Sequence, residues 1–322
     1  MSNRSQFTRR DVIRVAAFAG AGLAAARAGL AGTDGKSPAL AAKAIPASGE
    51  NIPVVGLGTN AYSVSAPDEL AARREVLRQM AELGASVVDT APAYGDSEAV
   101  LGGIVAELGI RDRMFLATKI TATDGEKDPG RAMFEESLRR LRTDHVDLLQ
   151  VHSLKGVDAL LPALKEWKSA KRIRYLGVTT SRAEQHAELL ETMRRHPLDF
   201  IQVNYSLGDR DAAERILPLA TERGIAVLLN LPFGGRRGRN LVQQATGKSL
   251  PAWAADAGIE SWGQFFLKYA ISHPAVTCAI PGTTKVAHLL DNLGAARDPM
   301  PDAAMRKKME AYWDSISNEE KA

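Results

Sequence analysis

Cysteine is almost missing from the 322-residue chain. The single Cys278 excludes an internal disulfide, a cysteine-ligated zinc and a dithiol redox motif. It lies in the apolar run Val276-Thr277-Cys278-Ala279-Ile280, which predicts a buried strand thiol. A membrane anchor needs about 20 uncharged apolar residues. The one candidate, residues 15–26, is rich in Ala and Gly and is stopped by Arg27. The Gly-x-Gly-x-x-Gly turn of a doubly wound dinucleotide fold is also missing, because Gly56-Leu57-Gly58-Thr59-Asn60-Ala61 fails at the third glycine. No repeat of solenoid period occurs and no metal site is expected. Basic charge is scarce outside the N-terminus. Residues 1–44 carry seven Lys or Arg against two Asp, a net +5, which leaves −2 for the rest of a chain whose total is +3. That balance excludes a nucleic-acid surface.

Those N-terminal charges have an order. Thr8-Arg9-Arg10-Asp11-Val12-Ile13-Arg14 precedes the Ala/Gly-rich stretch, and small residues follow at Ala41 and Ala44. A basic start, a mildly apolar segment and a small-residue site make a targeting signal. The paired arginines resemble a twin-arginine signal, with Val12 in place of the usual Phe. Residues 1–44 are therefore expected to be a leader, with cleavage after Ala41 or Ala44. The partner implied is the twin-arginine export machinery, and the location a periplasmic or otherwise extracytoplasmic one. Without export the protein would stay in the cytoplasm. Residues 45–322 would be the working domain, with no stable insertion in a membrane.

Length alone suggests about two domains, but α/β barrels commonly fill 250 residues as one. Residues 45–59 read as a hairpin leading into a first strand, with turn chemistry at Ser48-Gly49-Glu50-Asn51. From there, apolar runs of strand length alternate with amphipathic helical stretches. Strands are predicted at 54–59, 86–89, 114–119, 146–152, 174–179, 200–204, 225–230 and 276–281. Helices are predicted at 69–83, 97–108, 130–141, 158–171, 183–195, 211–223, 261–272 and 285–296, with a further one in the tail at 302–317. Strands joined by single helical crossovers run parallel, and eight such units close into a (β/α)8 TIM barrel.

In a parallel barrel the strand C-termini converge on one face. The runs end on Asp89, Lys119, His152, Thr179, Gln202 with Asn204, Asn230, and Pro281-Gly282, with Tyr94 in the loop after Asp89. A tyrosine hydroxyl has an ordinary pKa near ~10 and is a poor proton donor at neutral pH. An adjacent ammonium favours its phenolate, a carboxylate holds that ammonium, and a histidine can polarise a substrate carbonyl. Asp89, Tyr94, Lys119 and His152 thus compose a general-acid device for carbonyl reduction. The chain has no hydride source, so a cofactor must supply it.

The order and spacing of these pieces resemble the aldo/keto reductase family over nearly everything from Ile45 to Ala296. The resemblance rests on Val54-Val55-Gly56-Leu57-Gly58-Thr59, on residues 88–98 with Asp89 and Tyr94, and on Ala117-Thr118-Lys119. It continues through Val146-Asp147-Leu148-Leu149-Gln150-Val151-His152, Gln202-Val203-Asn204-Tyr205-Ser206, Ile280-Pro281-Gly282-Thr283 and His288-Leu289-Leu290-Asp291-Asn292. It implies Tyr94 as proton donor, Lys119 as the group that lowers its pKa, Asp89 as the orienter of Lys119, and His152 as the carbonyl anchor. It also implies an extended nicotinamide dinucleotide, with NADP(H) favoured and NAD(H) possible. The substrate would be a small carbonyl compound or the corresponding alcohol.

By the same resemblance the cofactor site would comprise Gly58, Thr59, Thr179, Thr180, Gln202 and Asn230. The pyrophosphate loop would use Leu231, Pro232 and Gly234. Gly282, Thr283, Lys285 and His288 would take the 2′-phosphate, and Asp291 with Asn292 the adenine. Departures accompany the match. Thr180 lacks the amide that commonly stands there, and Asn230 falls where many members have an aromatic ring. Asn60 replaces a common Trp, Tyr62 is the aromatic that could line the pocket instead, and residues 236–260 read as a lid containing Trp253. A cofactor-binding regulatory protein of the same fold is the alternative from another class, and a non-redox barrel enzyme a third. Turnover of simple aldehydes separates the first two.

Overall fold

The computed structural model describes residues 39–122, 128, 130–235 and 240–318. The arginine pair of the leader and residues 236–239, which begin the expected lid and include Arg236, Arg237 and Arg239, lie outside the described residues.

Eight strands hydrogen-bond in sequence order into one parallel sheet. They are β3 (Leu57–Gly58), β4 (Val87–Asp89), β5 (Phe115–Ile120), β6 (Val146–Val151), β7 (Ile173–Thr179), β8 (Phe200–Asn204), β9 (Ala226–Asn230) and β10 (Cys278–Ala279). Parallel bridges Val55↔Ala279 and Gly58↔Gly282 join the last strand to the first, and the sheet closes as the expected barrel. The two strands at this seam are shorter than the sequence suggests. A Cβ at Gly58 would stand only 2.9 Å from the Ile280 carbonyl oxygen, so the strands meet there through bare backbone.

Each strand sends alternate residues inward and outward. The outward set, with Val88, Leu116, Leu149, Val178, Ile201 and Leu229, packs against the helices. The inward set forms a second, separate cluster of Val87, Phe115, Ala117, Leu148, Tyr175, Phe200, Leu228 and Cys278. Burial raises the Cys278 thiol above its ordinary pKa, as a buried strand cysteine should be. The helices that cover the barrel include α1 (Pro67–Glu82), α2 (Ser97–Leu108), α3 (Arg131–Leu141), α4 (Val157–Ser169), α5 (His186–Arg195) and α6 (Ala212–Glu222). A short α7 (Leu241–Gln244), then α8 (Trp262–Ile271), α9 (Val286–Ala295) and the tail helix α10 (Ala303–Asn318) complete them.

The hairpin sits a little earlier than the sequence reading placed it. β1 (Ala42–Ala44) pairs antiparallel with β2 (Asn51–Pro53), and Gly49 turns it at φ 76°. Ile45 and Ile52, both buried, belong to the inward cluster and stop the lower end of the barrel. Lys43 donates to the carbonyls of Ile271, His273 and Val276 at 2.8, 2.9 and 2.7 Å, which caps the end of α8. The compact unit that carries the barrel begins at Leu40.

Two aromatic expectations change. Tyr62 is fully buried in the outer core and does not reach the rim. Trp253 packs on Phe265 and Tyr312 at 5.9 and 6.1 Å, so it serves the core beneath the insertion. No helix among the described residues is long and apolar enough to cross a membrane.

Candidate active site

The inward alternation that fills the barrel with Val87, Ala117 and Leu148 turns polar two residues later on each strand. Asp89, Lys119, Gln150, Thr179, Gln202 and Asn230 follow on the same face. Register fixes their neighbours: Gly58 lies beside Asp89, Lys119 beside Gln150, and Thr179 beside Gln202.

Lys119 and Asp89 form a buried ion pair, 1% and 2% exposed, with Nζ 2.5 Å from Oδ2. Nζ also donates to the Thr90 carbonyl at 2.8 Å and stands 5.1 Å from the centroid of the Tyr94 ring. Tyr94 ends a short 3-10 turn, Pro92–Tyr94, that begins with proline. Gly95 follows at φ 62°, and a Cβ there would lie 2.6 Å from the Ser63 hydroxyl. Only glycine suits that position. The Tyr94 and His152 rings meet edge to face, with centroids 6.2 Å apart.

Burial raises the Tyr94 pKa above its ordinary value, and Lys119 opposes it without prevailing. The phenol is therefore protonated at neutral pH. For Lys119, burial acts to lower the pKa, but Asp89 and Tyr94 carry it upward, so the ammonium keeps its charge. His152 is lowered to about 4 by burial, with help from Lys119 and Lys155. Its imidazole is neutral and offers one N–H donor.

A cavity of about 560 Å³ gathers these four side chains. Gly58, Thr59, Thr179, Thr180 and Gln202 line it, as do Asn230, Leu231, Pro232, Gly234 and Gly282. Thr283, Lys285, His288, Asp291 and Asn292 do not. Thr283 makes a local turn with Lys285, its hydroxyl accepting from the Lys285 N–H at 3.3 Å. Asp291 accepts from Ser261 at 2.8 Å and from Gln264 at 3.0 Å, so it ties α9 to the start of α8. Lys285 and His288 are exposed, and Asn292 is buried.

Sequence reasoning missed Gln150. It is fully buried, donates to Asp89 Oδ1 at 3.4 Å, and leaves Oε1 without a partner. Its parity with Leu148 and His152 was the available signal. Gln150 is not among the residues that line the cavity, whereas Ser153, Ser181 and Asn240 are. Of the supposed lid, Asn240 alone among the described residues reaches it, while also capping α7.

The walls suit a nicotinamide cofactor in one specific respect. Gln202 donates its amide N–H to Asp89 Oδ2 at 3.4 Å, and Asn230 donates to the Thr180 carbonyl at 2.9 Å. Both partners only accept, so each side-chain oxygen is set on the other side, and both oxygens lack a partner. A carboxamide supplies the N–H groups that such oxygens need.

The aldo/keto reductase family profile matches residues 54–312. The aldo-keto reductase YhdN of Bacillus subtilis is 38% identical over 170 residues, 48% of this chain and 50% of its own length. That alignment thus spans only half of the relative. Methylglyoxal reductase YeaE of Escherichia coli is 28% identical over 277 residues, covering 84% of this chain and 95% of that protein. A Klebsiella pneumoniae aldo/keto reductase, solved in complex with NADP and acetate, superposes with a TM-score of 0.68 at 25% identity, over 82% of this chain and 93% of its own. The chain belongs to the aldo/keto reductase family.

Proposed function

We propose that this protein is an NADP(H)-dependent oxidoreductase that reduces the carbonyl of a small aldehyde or ketone, or oxidises the matching alcohol. One observation carries the reading: a buried Asp89–Lys119 pair stands against a protonated Tyr94, with a neutral His152 opening on the same cavity. The NADP bound by the Klebsiella relative supports the choice of cofactor. When bound, the nicotinamide supplies the hydride. Gln202 and Asn230 would hold its carboxamide, and the loop with Leu231, Pro232 and Gly234 would face the pyrophosphate. The chain's own residues handle the proton. His152 donates its N–H to the carbonyl oxygen and fixes it beside Tyr94. Tyr94 Oη then gives its proton to that oxygen, and the Lys119 ammonium stabilises the phenolate left behind. Asp89 keeps Lys119 charged and in place.

The proposed leader adds export by the twin-arginine route to a periplasmic location. Strand β1 and Lys43 then favour processing after Ala41 over processing after Ala44, because the later cut removes the strand. Titration of the full chain with NADPH, followed by NADPH oxidation in the presence of small carbonyl compounds, tests the enzymatic reading. Saturable binding with carbonyl-dependent oxidation is expected. Binding without oxidation of any carbonyl would favour the regulatory alternative, and no binding would remove the cofactor from the account.

A further inference from the structure

We infer that Gln185 is a positioning residue for carbonyl reduction: it locks the turn that follows His152 and so fixes where the imidazole stands in the cavity. The inference rests on the carbonyl-reduction reading and deepens it. Gln185 does not itself line the cavity, so it acts through another group.

The ladder of β6 holds the chain only as far as Val151. His152 stands one residue beyond it, so its placement depends on the turn that comes next. That turn is held against its own preference. Ser153 stands at φ 53° and Leu154 at φ 58°, conformations that non-glycine residues avoid unless their surroundings impose them. Two side chains from the end of β7 and the loop after it impose them. The Thr179 hydroxyl accepts from the Ser153 N–H at 3.1 Å, and Gln185 Nε2 donates to the Ser153 carbonyl at 3.0 Å. The Lys155 N–H closes the turn on the His152 carbonyl at 3.1 Å.

Gln185 can hold the turn because its other end is tied. It closes a 3-10 turn, Ala183–Gln185, ahead of α5, and its Oε1 accepts from the Thr180 hydroxyl at 2.7 Å. The partners set the amide's orientation. A carbonyl only accepts, so the NH2 group faces Ser153 and the oxygen faces Thr180. Thr180 is anchored in turn. Its N–H donates to the Gln202 carbonyl at 2.9 Å, and its own carbonyl accepts from Asn230 at 2.9 Å. Hydrogen bonds therefore run from Asn230, through Thr180 and Gln185, to Ser153 beside His152.

Loss of Gln185 leaves the strained turn free to relax and carries His152 with it. A displacement of about 1 Å in a group that must meet the reacting atoms can cost about 10²-fold in rate. The Asp89–Lys119 pair lies on β4 and β5 and keeps its own contacts. The defect therefore falls on the carbonyl anchor and spares the proton donor's partners.

The test is a double-mutant cycle on the full chain: native, Gln185→Leu, His152→Ala and the two together. The readouts are NADPH titration and kcat/KM at saturating NADPH, with propanal, benzaldehyde and 2-butanone as probes. Gln185→Leu is expected to lower kcat/KM by about tenfold or more while NADPH affinity stays within about threefold. In the His152→Ala background the same substitution should cost less than about threefold, because the group it positions is gone. Gln185→Glu keeps the acceptor for Thr180 but, when ionised, lacks the donor to Ser153. A carboxyl that faces a carbonyl oxygen is favoured in its protonated, donating form. The deficit of Gln185→Glu relative to native should therefore be present at pH 8 and shrink at pH 5. Native kcat/KM in Gln185→Leu, an equal loss in both backgrounds, or a Gln185→Glu deficit that does not change with pH overturns the inference and leaves carbonyl reduction standing. NADPH that binds but is oxidised by none of the three probes overturns the carbonyl-reduction reading and this inference with it.

Discussion

Replacing Lys119 with methionine removes the cation from a carboxylate that is almost wholly buried at the floor of the cavity. Asp89 is 2% exposed, and its remaining contacts through the side chain are the Gln150 and Gln202 amides, both at 3.4 Å. Breaking one side of a buried pair costs about 3–5 kcal/mol, because the surviving charge stays buried. Two long amide contacts keep part of the carboxylate satisfied, which puts Lys119→Met at the lower end, ~3 kcal/mol. At about 2–4 °C per kcal/mol for a domain of this size, the melting temperature should fall by about 6–12 °C. The double variant Asp89→Asn/Lys119→Met neutralises both sites and should recover most of that loss. Thermal and urea denaturation of the native protein, the two single variants and the double variant complete the cycle at pH 7. Additive losses in the double variant, or a Lys119→Met loss below ~1 kcal/mol, would refute the claim that these side chains act as one buried pair.

Three further outcomes follow from the geometry. Lys43→Met leaves three carbonyls at the end of α8 without their ammonium and should cost ~3 kcal/mol in the same melts. If the leader is processed, N-terminal sequencing of the mature protein should find a start no later than Ala42, and a start at Ile45 would contradict the role given to β1. His152 gives a pH signature. Its folded pKa of about 4 lies below its unfolded value near 6.5, so the unfolded chain takes up the proton first. Stability is full above the unfolded value and is lost as pH falls from about 6.5 to about 4. The loss should be ~1–2 kcal/mol once the partial exposure of the ring is allowed for. His152→Gln should remove that share, while His273, also lowered to about 4, keeps a residual slope.

The alternation of apolar strands and amphipathic helices made the barrel legible, because both periods follow from which face meets the core. Strand-end parity then led from Asp89 to Lys119 and His152, since parallel strands bring their C-termini together. Gln150 was hidden because its neighbours Leu149 and Val151 make the run look like plain core. Its inward direction shows only when parity is counted from His152. Tyr62 misled because an aromatic two residues past a rim residue can turn either way, and the outer core claimed it. Asp291, expected from the resemblance to meet the adenine, also accepts from Ser261 and Gln264, some 30 residues earlier, a pairing that no local pattern in the sequence shows. The net direction of the Tyr94 shift depends on burial against one nearby charge, and a sequence carries the charge but not the burial.

The central claim is that Tyr94 gives the proton while the rest of the site binds the cofactor without it. The decisive measurement is NADPH affinity and carbonyl-dependent turnover, side by side, for the native protein and Tyr94→Phe. The account predicts an unchanged affinity within about threefold and a kcat lower by about 10²–10⁴. A Tyr94→Phe protein that binds NADPH and turns over carbonyl compounds at the native rate would contradict it.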